Sequence, residues 1–304
     1  QAGVQVMAIP HGTIMGGLSV VPDVSAALAD YQGVLKLDLV HEGPLPADLA
    51  ASWGCPASAG ARHAVLRPKS GNPCWFRLVE QPDHPEFKPT TTFGWGAFEC
   101  TVEDVFGWPD RLKGSGFTIV GEPRELPGMD AFIPMQVLGT GREMVYLNQV
   151  FNDMANVDLP RAQSITDRIF IVILGTPSRA ESCRWYQERL GLEPVDTFEL
   201  PYAMINDAFG LPPDTITALT MVQAERMPIV EVDDYPEQAR PRARHPGMLP
   251  PGNALVTLAM RDLDACRVDW ITPPVVRDGP LYEGRRAGTC LGYAGELIEL
   301  VEVG

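Results

Sequence analysis

A glutamate in the middle of an apolar strand is the first candidate for chemistry in this sequence. The C-terminal run Gly295-Glu296-Leu297-Ile298-Glu299-Leu300-Val301-Glu302 alternates in polarity around Ile298 and Leu300, which is typical of a β-strand with one buried face. A carboxylate on such a strand is costly to bury unless a metal, a cation or a proton donor compensates it. Glu299 therefore belongs either to a functional site or to a sheet edge that faces water.

The elements that would position Glu299 recur along the chain. Two similar stretches, Tyr31-Gln32-Gly33-Val34-Leu35-Lys36-Leu37 and Tyr186-Gln187-Glu188-Arg189-Leu190-Gly191-Leu192, each follow an apolar run and a short polar opening. Asp23 or Ser25, and Ser178, are predicted as the N-caps of the helices that lead into these stretches. Four units of strand, helix and further strands are predicted to begin near residues 13, 93, 166 and 252.

Four such units resemble the vicinal oxygen chelate superfamily, which includes glyoxalase I, bleomycin-resistance proteins and extradiol dioxygenases. The resemblance is carried by Asp23 with Tyr31–Leu37, by Trp185–Leu192, by Arg261-Asp262-Leu263-Asp264 and by Glu296–Leu300. It implies an α+β fold in which four βαβββ modules pair into two cup-shaped domains. The N-terminal paired domain is expected at 1–152 and the C-terminal paired domain at 164–304, each cup holding a site.

The resemblance also implies where metal ligands would stand, usually a histidine in the first strand and a glutamate in a late strand of each unit. The first-strand positions are predicted at Gly16, Ala97, Ile171 and Leu255, which are not metal ligands. The late-strand positions carry Arg77, Tyr146, Glu231 and Glu299. Glu231 and Glu299 are thus the candidate metal ligands. We expect no cofactor, with a divalent metal (Mg, Mn or Fe) left open.

Without a metal, the first cup is predicted to hold an acid–base set. Residues two apart on a strand share a face, so Glu99 and Thr101 follow Ala97 into the cup. There Glu99 would take a proton, Tyr146 would donate one, and Arg77 would hold an anionic group. The substrate-binding candidates are His63, Asn148, Trp75, Thr101 and Tyr202. The alternative is an internal Arg77–Glu99 ion pair to which Tyr146 is hydrogen-bonded.

The second cup is expected to hold Glu231, Glu299 and Thr257 among apolar residues. Two neighbouring carboxylates raise the pKa of at least one of them, which suits general acid or base catalysis. The alternative places one or both glutamates at a sheet edge in water. A proline-rich segment with Arg240, Arg242, Arg244 and His245 is interpreted either as a solvated linker or as a positively charged flap over a pocket.

Composition narrows the class of protein. The formal net charge of −15 disfavours nucleic acids and anionic membranes as partners, and no apolar run approaches the roughly 18–20 residues of a membrane helix. The six cysteines lack a CxxC pair and are expected to be reduced thiols. We predict a cytoplasmic protein with a small-molecule partner, and a homo-oligomer is left open.

Together these features favour a metal-independent acid–base lyase, isomerase or hydrolase that acts on an oxygenated organic compound. One alternative is an extradiol-type, metal-dependent dioxygenase, for which the chain has the length but lacks the first-strand histidines. The other is a non-catalytic binding or resistance protein that sequesters a hydrophobic compound in an apolar cup.

Overall fold

The chain folds into four consecutive units whose first strands begin close to the predicted positions. A computed structural model describes residues 8–304. The first unit contains β1 (Ile14–Val21), α1 (Val24–Gly33), β2 (Asp38–Pro44), α2 (Ala47–Ser52), β3 (Arg62–Arg67) and β4 (Trp75–Glu80). The second unit contains β5 (Gly94–Val102), α3 (Trp108–Arg111), β6 (Thr118–Gly121), β7 (Phe132–Leu138) and β8 (Met144–Val150).

The second half repeats this order with one omission. The third unit contains β9 (Thr166–Thr176), α4 (Arg179–Leu190), β10 (Glu193–Pro201), α5 (Ala203–Phe209), β11 (Ile216–Ala224) and β12 (Met227–Asp234). The fourth contains β13 (Gly252–Met260), β14 (Trp270–Val276), β15 (Arg286–Leu291) and β16 (Leu297–Glu302). The predicted fold class, α+β built from paired βαβββ-type units, is confirmed.

The helices begin where the sequence predicts a cap. Asp23 Oδ1 accepts a hydrogen bond from the Ala26 backbone N–H at 3.0 Å, and Ser178 Oγ accepts one from Glu181 at 3.4 Å. The helix predicted for the fourth unit is wrong, because 261–269 consists of bends, one turn and irregular chain. In this segment the Leu263 N–H donates to Glu302 Oε1, so a side chain competes with helical hydrogen bonding.

The units pair across the two halves of the chain rather than within them. Within residues 8–304, one eight-stranded sheet has the order β14-β15-β16-β13-β1-β4-β3-β2 and the other β10-β11-β12-β9-β5-β8-β7-β6. We call them the 1–4 sheet and the 2–3 sheet. The expectation that 1–152 and 164–304 would each form a cup of their own is therefore wrong for the sheets. Hydrophobic alternation fixes which face of a strand is buried, but it does not specify which distant strand becomes its neighbour.

The two sheets pack against each other through their central strands. Gly17 on β1 lies so close to the 2–3 sheet that a Cβ there would be 2.7 Å from the Phe98 ring and 2.9 Å from Ile169. The Trp95 indole N–H donates across to the Leu297 carbonyl at 2.8 Å. The opposite faces of the sheets remain available as the two cups.

The repeated tyrosines tie one sheet to the other. Tyr31 on α1 donates to Glu143 at 3.0 Å, and Tyr186 on α4 donates to Glu296 at 2.9 Å. Burial raises the pKa of each glutamate to about 7. The sequence repeat thus marks a structural contact that both halves of the chain contain.

Two composition-based expectations also have an outcome. Each of the six cysteines is a free thiol, and Cys266 is the one that is not fully buried. Between residues 8 and 304, no helix combines the length and the apolar character that crossing a membrane requires.

Candidate functional site: a closed cup and an open cup

The strand register defines corresponding places in the four units. Each late-strand residue pairs with one first-strand residue, giving Leu18–Arg77, Glu99–Tyr146, Ile173–Glu231 and Thr257–Glu299. These first-strand residues lie two positions after the expected Gly16, Ala97, Ile171 and Leu255. A shift of two keeps the face of the strand but changes the residue. In the second unit it replaces an alanine with Glu99.

Side chains fill the cup of the 1–4 sheet, which we call the closed cup. Arg77 from β4 and Glu299 from β16 form an ion pair at 2.9 Å, and each is at most 2% exposed. Thr257 and Tyr282 each accept a hydrogen bond from Arg77 and donate one to Glu299 at 2.8 Å. The Trp53 indole N–H also donates to Glu299, and its ring lies 5.1 Å from the Arg77 guanidinium.

This network decides the role of Glu299. Burial opposes ionisation of Glu299, but Arg77 and the hydrogen bonds from Trp53, Tyr282 and Thr257 outweigh it and hold its pKa below the ordinary value. The carboxylate is fully paired and faces the interior. The prediction that Arg77 acts on substrate beside Glu99 is wrong, and so is the alternative Arg77–Glu99 ion pair, because Arg77 lies in the other sheet.

Two predicted substrate-binding residues also lie in the 1–4 sheet. Trp75 packs in the closed cup's core, 4% exposed. His63 on β3 is equally buried, and burial, with the nearby charges of Arg77 and His41, lowers its pKa to about 3. Both are therefore separated from Glu99 and Tyr146, and we correct their assignment on that ground.

The cup of the 2–3 sheet, which we call the open cup, contains a cavity of about 240 Å³. Its walls are largely apolar, with Phe132, Ile171, Phe198 and Met221 among the contributors. The polar part of its lining consists of Glu99, Tyr146, Tyr202 and Glu231, together with Arg124, Gln136 and Asp196. The cavity therefore suits a small, mainly apolar molecule with a polar group at one end.

The carboxyl groups of the open cup favour the protonated state. Burial, and then the charge of Glu231, raise the pKa of Glu99 well above its ordinary value. Burial also raises the pKa of Glu231. Asp233, two residues further along the same face of β12, has its pKa raised by burial and by Glu231. Asn148 donates a short hydrogen bond to Glu99 and fixes its orientation.

Two phenols complete the polar end. Tyr202, at the N-terminus of α5, donates to Glu231 Oε1 at 3.0 Å, and its oxygen lies 3.2 Å from the Tyr146 hydroxyl. Burial and nearby carboxylates raise the pKa of Tyr202 well above its ordinary value, and burial does the same for Tyr146. Both tyrosines therefore stay protonated. Tyr202 donates its proton to Glu231, so Tyr146 is the phenol that can donate a hydrogen bond to a ligand.

The predicted set is thus brought together only in part. Glu99, Tyr146 and Tyr202 line the cavity, and Asn148 and Thr101 lie beneath it, fully buried on the neighbouring strands β8 and β5. Glu231 joins them from the third unit, whereas the sequence grouped it with Glu299. Asp233 was missed, although its spacing of two from Glu231 on a predicted strand was a usable signal.

Comparisons with solved structures decide the fold. Glyoxalase I from Zea mays superposes with a TM-score of 0.61 at 16% identity, covering 95% of this chain and 92% of that one. A proposed dioxygenase from Bacillus subtilis superposes with a TM-score of 0.63 at 13% identity, covering 97% and 86%. The chain has the vicinal oxygen chelate fold. No protein-family model matches the sequence, and neither does any curated protein.

The vicinal oxygen chelate fold raises the question of a metal, and the side chains of neither cup form a suitable set of ligands. Glu299 and Glu231 lie in different sheets and cannot share an ion, which corrects their pairing as candidate ligands. In the closed cup, Arg77 already compensates the carboxylate. In the open cup, Ile173 occupies the place beside Glu231. Residues 8–304 contain no group of three or more His, Cys, Asp or Glu side chains arranged to hold a metal.

The basic segment is neither a flap over the open cup nor simply a solvated linker. Arg242 donates to Thr92 and to the carbonyls of Trp95 and Asn253, at 2.7–2.8 Å. Loss of hydration lowers the pKa of Arg242 to about 10. Because Trp95 and Asn253 belong to different sheets, Arg242 fastens one sheet to the other, while Arg244 is exposed.

Proposed function

We propose that this chain is a small-molecule enzyme that transfers protons in the open cup, as a lyase, isomerase or hydrolase of an oxygenated organic compound. The observation that carries the proposal is the pair of carboxyls, Glu99 and Glu231, in one largely apolar cavity with both pKa values raised. Coupled buried carboxyls favour a state in which one is ionised and the other keeps its proton. Such a pair supplies a general base and a general acid at once.

The simplest step consistent with this set is enolisation. The carboxylate of Glu231 takes a proton from the carbon beside a carbonyl group, and the C–H electron pair becomes the C=C bond of the enol. The carbonyl π electrons pass to oxygen, which receives the proton of the Glu99 carboxyl. Tyr146 donates a hydrogen bond that holds the oxygenated group, and Tyr202 orients the base by donating to Glu231. General acid–base catalysis of this kind contributes about 10²–10⁴-fold to the rate.

The test is hydrogen exchange in D₂O. Two aryl ketones, 4-(hydroxymethyl)acetophenone and 4-(aminomethyl)acetophenone, report exchange of their acetyl protons by NMR, one as a neutral compound and one as a cation. We expect at least one to exchange about 100-fold faster with the protein than in buffer. The acceleration should disappear in Glu99→Gln and Glu231→Gln but persist in Glu188→Gln, which changes an exposed carboxylate.

A binding protein is the second candidate, because the apolar walls of the cavity would hold a hydrophobic compound without any chemistry. It is favoured if a ketone binds in the open cup and its acetyl protons exchange no faster than in buffer. The dioxygenase alternative is not proposed further, since no histidine lines the cavity formed by the described residues.

A further inference from the structure

The two cups contain the same tyrosine–glutamate pair at corresponding places. In the closed cup, Tyr282 from the β14–β15 connection donates to Glu299 at 2.8 Å. In the open cup, Tyr202 from the β10–β11 connection donates to Glu231 at 3.0 Å. Glu299 and Glu231 occupy matching register positions on β16 and β12. The closed cup is therefore an internal template for what surrounds a carboxylate at this place in the fold.

That template includes a cation stacked on an aromatic ring. The Arg77 guanidinium lies 5.1 Å from the Trp53 ring centroid, and both side chains donate to Glu299. In the open cup the place of Arg77 is taken by Tyr146. The β2–β3 connection contains Trp53. The corresponding β6–β7 connection contains Arg124, Leu126 and Met129, which line the cavity. The cavity is thus lined by Tyr146 and by a connection that contributes no tryptophan, the counterparts of Arg77 and of the Trp53 segment.

The open cup lacks a compensating charge. Arg124 is the one cationic side chain among the described lining residues, and it is exposed to solvent. Asp233 is 0% exposed and lies beside Glu231, and no cationic side chain among residues 8–304 is hydrogen-bonded to it. The Asn148 amide oxygen, also fully buried, has no hydrogen-bond partner among these residues. Buried carboxyls without a compensating cation are costly to ionise, and a positively charged group bound beside Glu231 and Glu99 reduces that cost.

We propose that the open cup binds a ligand with a positively charged nitrogen on an aromatic or similarly flat apolar body. The nitrogen takes the role that Arg77 has in the closed cup, beside Glu231 and Glu99, and the body takes the space of Trp53. This inference rests on the proposed use of the open cup as the ligand site and adds the charge of the ligand.

A cationic ligand would also prepare the acid–base pair. A positive charge beside a buried carboxyl favours its ionised form, so binding releases a proton from the group formed by Glu99, Glu231 and Asp233. The phenols of Tyr146 and Tyr202 face the same space and remain protonated. A cation thereby stabilises the ionised carboxylate that serves as the base in the proposed proton transfer.

The experiment compares three probes of one shape by isothermal titration calorimetry. 2-Naphthylmethylamine is a cation at pH 7, 2-naphthylmethanol is neutral and 2-naphthoate is an anion. We expect the amine to bind at least about tenfold more tightly than the alcohol and the anion to bind most weakly. Titrations in buffers of different ionisation enthalpy should show proton release with the amine alone.

Variants assign the selectivity to named groups. Glu231→Gln should weaken amine binding at least about tenfold more than it weakens alcohol binding, with Glu188→Gln as the matched control. Tyr146→Arg would rebuild the arrangement of the closed cup, so it should abolish amine binding through a side chain that supplies the missing charge. It tests the proposal even if Glu231→Gln fails to fold.

The outcomes separate this inference from the proposed function. Equal binding of amine and alcohol, or amine binding that Glu231→Gln and Tyr146→Arg leave unchanged, overturns the inference and leaves the cavity as a neutral-ligand site. Absence of binding by all three probes overturns both. Selective amine binding without ketone exchange supports the inference and contradicts the proposed chemistry.

Discussion

In the 1–4 sheet, the carboxylate of Glu299 accepts hydrogen bonds from Trp53, Arg77, Thr257 and Tyr282 and is 1% exposed. In the 2–3 sheet, Glu231 occupies the matching place, accepts a hydrogen bond from Tyr202 and lines a cavity. One backbone arrangement thus supports a filled interior in one cup and a ligand-sized space in the other. The difference lies in a few side chains, chiefly Arg77 against Tyr146, and not in the fold.

The largest effect should come from removing the cation of the closed cup. Arg77→Ala leaves Glu299 buried without its partner, which typically costs about 3–5 kcal/mol of unfolding free energy. Replacing both partners, as Arg77→Met with Glu299→Leu, should recover most of the loss because no unpaired charge remains. Urea unfolding monitored by tryptophan fluorescence measures both. The structural role would be refuted by a loss below about 1 kcal/mol for Arg77→Ala.

The two cup tyrosines provide a matched pair of smaller changes. Tyr282→Phe removes hydrogen bonds to an ionised carboxylate and a guanidinium, for which a cost of about 1.5–3 kcal/mol is typical. Tyr202→Phe removes hydrogen bonds to a carboxyl with a raised pKa and to Tyr146, and about 1 kcal/mol is expected. The same unfolding measurement applies. Equal losses would mean that the two pairs are electrostatically alike, which would contradict the contrast between the closed cup and the open cup.

The smallest effect concerns stability, to which the carboxyl groups of the two cups contribute with opposite dependence on pH. The pKa of Glu299 is lowered by folding, so its contribution to stability is present above its unfolded value and is lost as the pH falls through the folded one. The pKa values of Glu99, Glu231 and Asp233 are raised, so their contribution is present at low pH and is lost as the pH rises through the folded values.

Melting temperatures at pH 4 and pH 8 measure this difference. The triple variant Glu99→Gln, Glu231→Gln, Asp233→Asn should melt at least about 2 °C above the unaltered protein at pH 8. For a chain of this size, that shift corresponds to roughly 1 kcal/mol of unfolding free energy. The two proteins should converge toward pH 4. A variant that is less stable at pH 8 would show that these carboxyls are compensated as Glu299 is.

The fold was accessible from sequence where local signals specify it. The strand predicted to carry Ala97, Glu99 and Thr101 is β5, and Asp23 and Ser178, two of the predicted N-caps, cap α1 and α4. These are short-range features in which propensity and capping agree. The helix predicted for the fourth unit was wrong, since a distant residue, Glu302, accepts a hydrogen bond from the backbone N–H of Leu263.

The site was less accessible because it depends on which units become neighbours. Glu99 and Tyr146 were grouped correctly, since they lie on adjacent strands of one unit. Arg77 and Glu231 were exchanged between cups, because β1–β13 and β5–β9 pairing is long-range and hydrophobic patterning does not encode it. The hydrogen bond from Trp53 to Glu299 joins residues 246 positions apart, so local sequence could not predict it.

The crossed pairing of the units also affects when each cup can form during synthesis. All strands of the 2–3 sheet lie between residues 94 and 234, so its pairing can be completed before the fourth unit is translated. The 1–4 sheet needs β13 and β16, which are translated after all strands of the 2–3 sheet, whereas β1 and β4 are translated before them. At about 5–20 residues per second, β1 and β4 wait on the order of ten seconds or more for β13. During that interval the edge of β1 is unprotected, which makes the first unit the segment most exposed to misassembly and to chaperones.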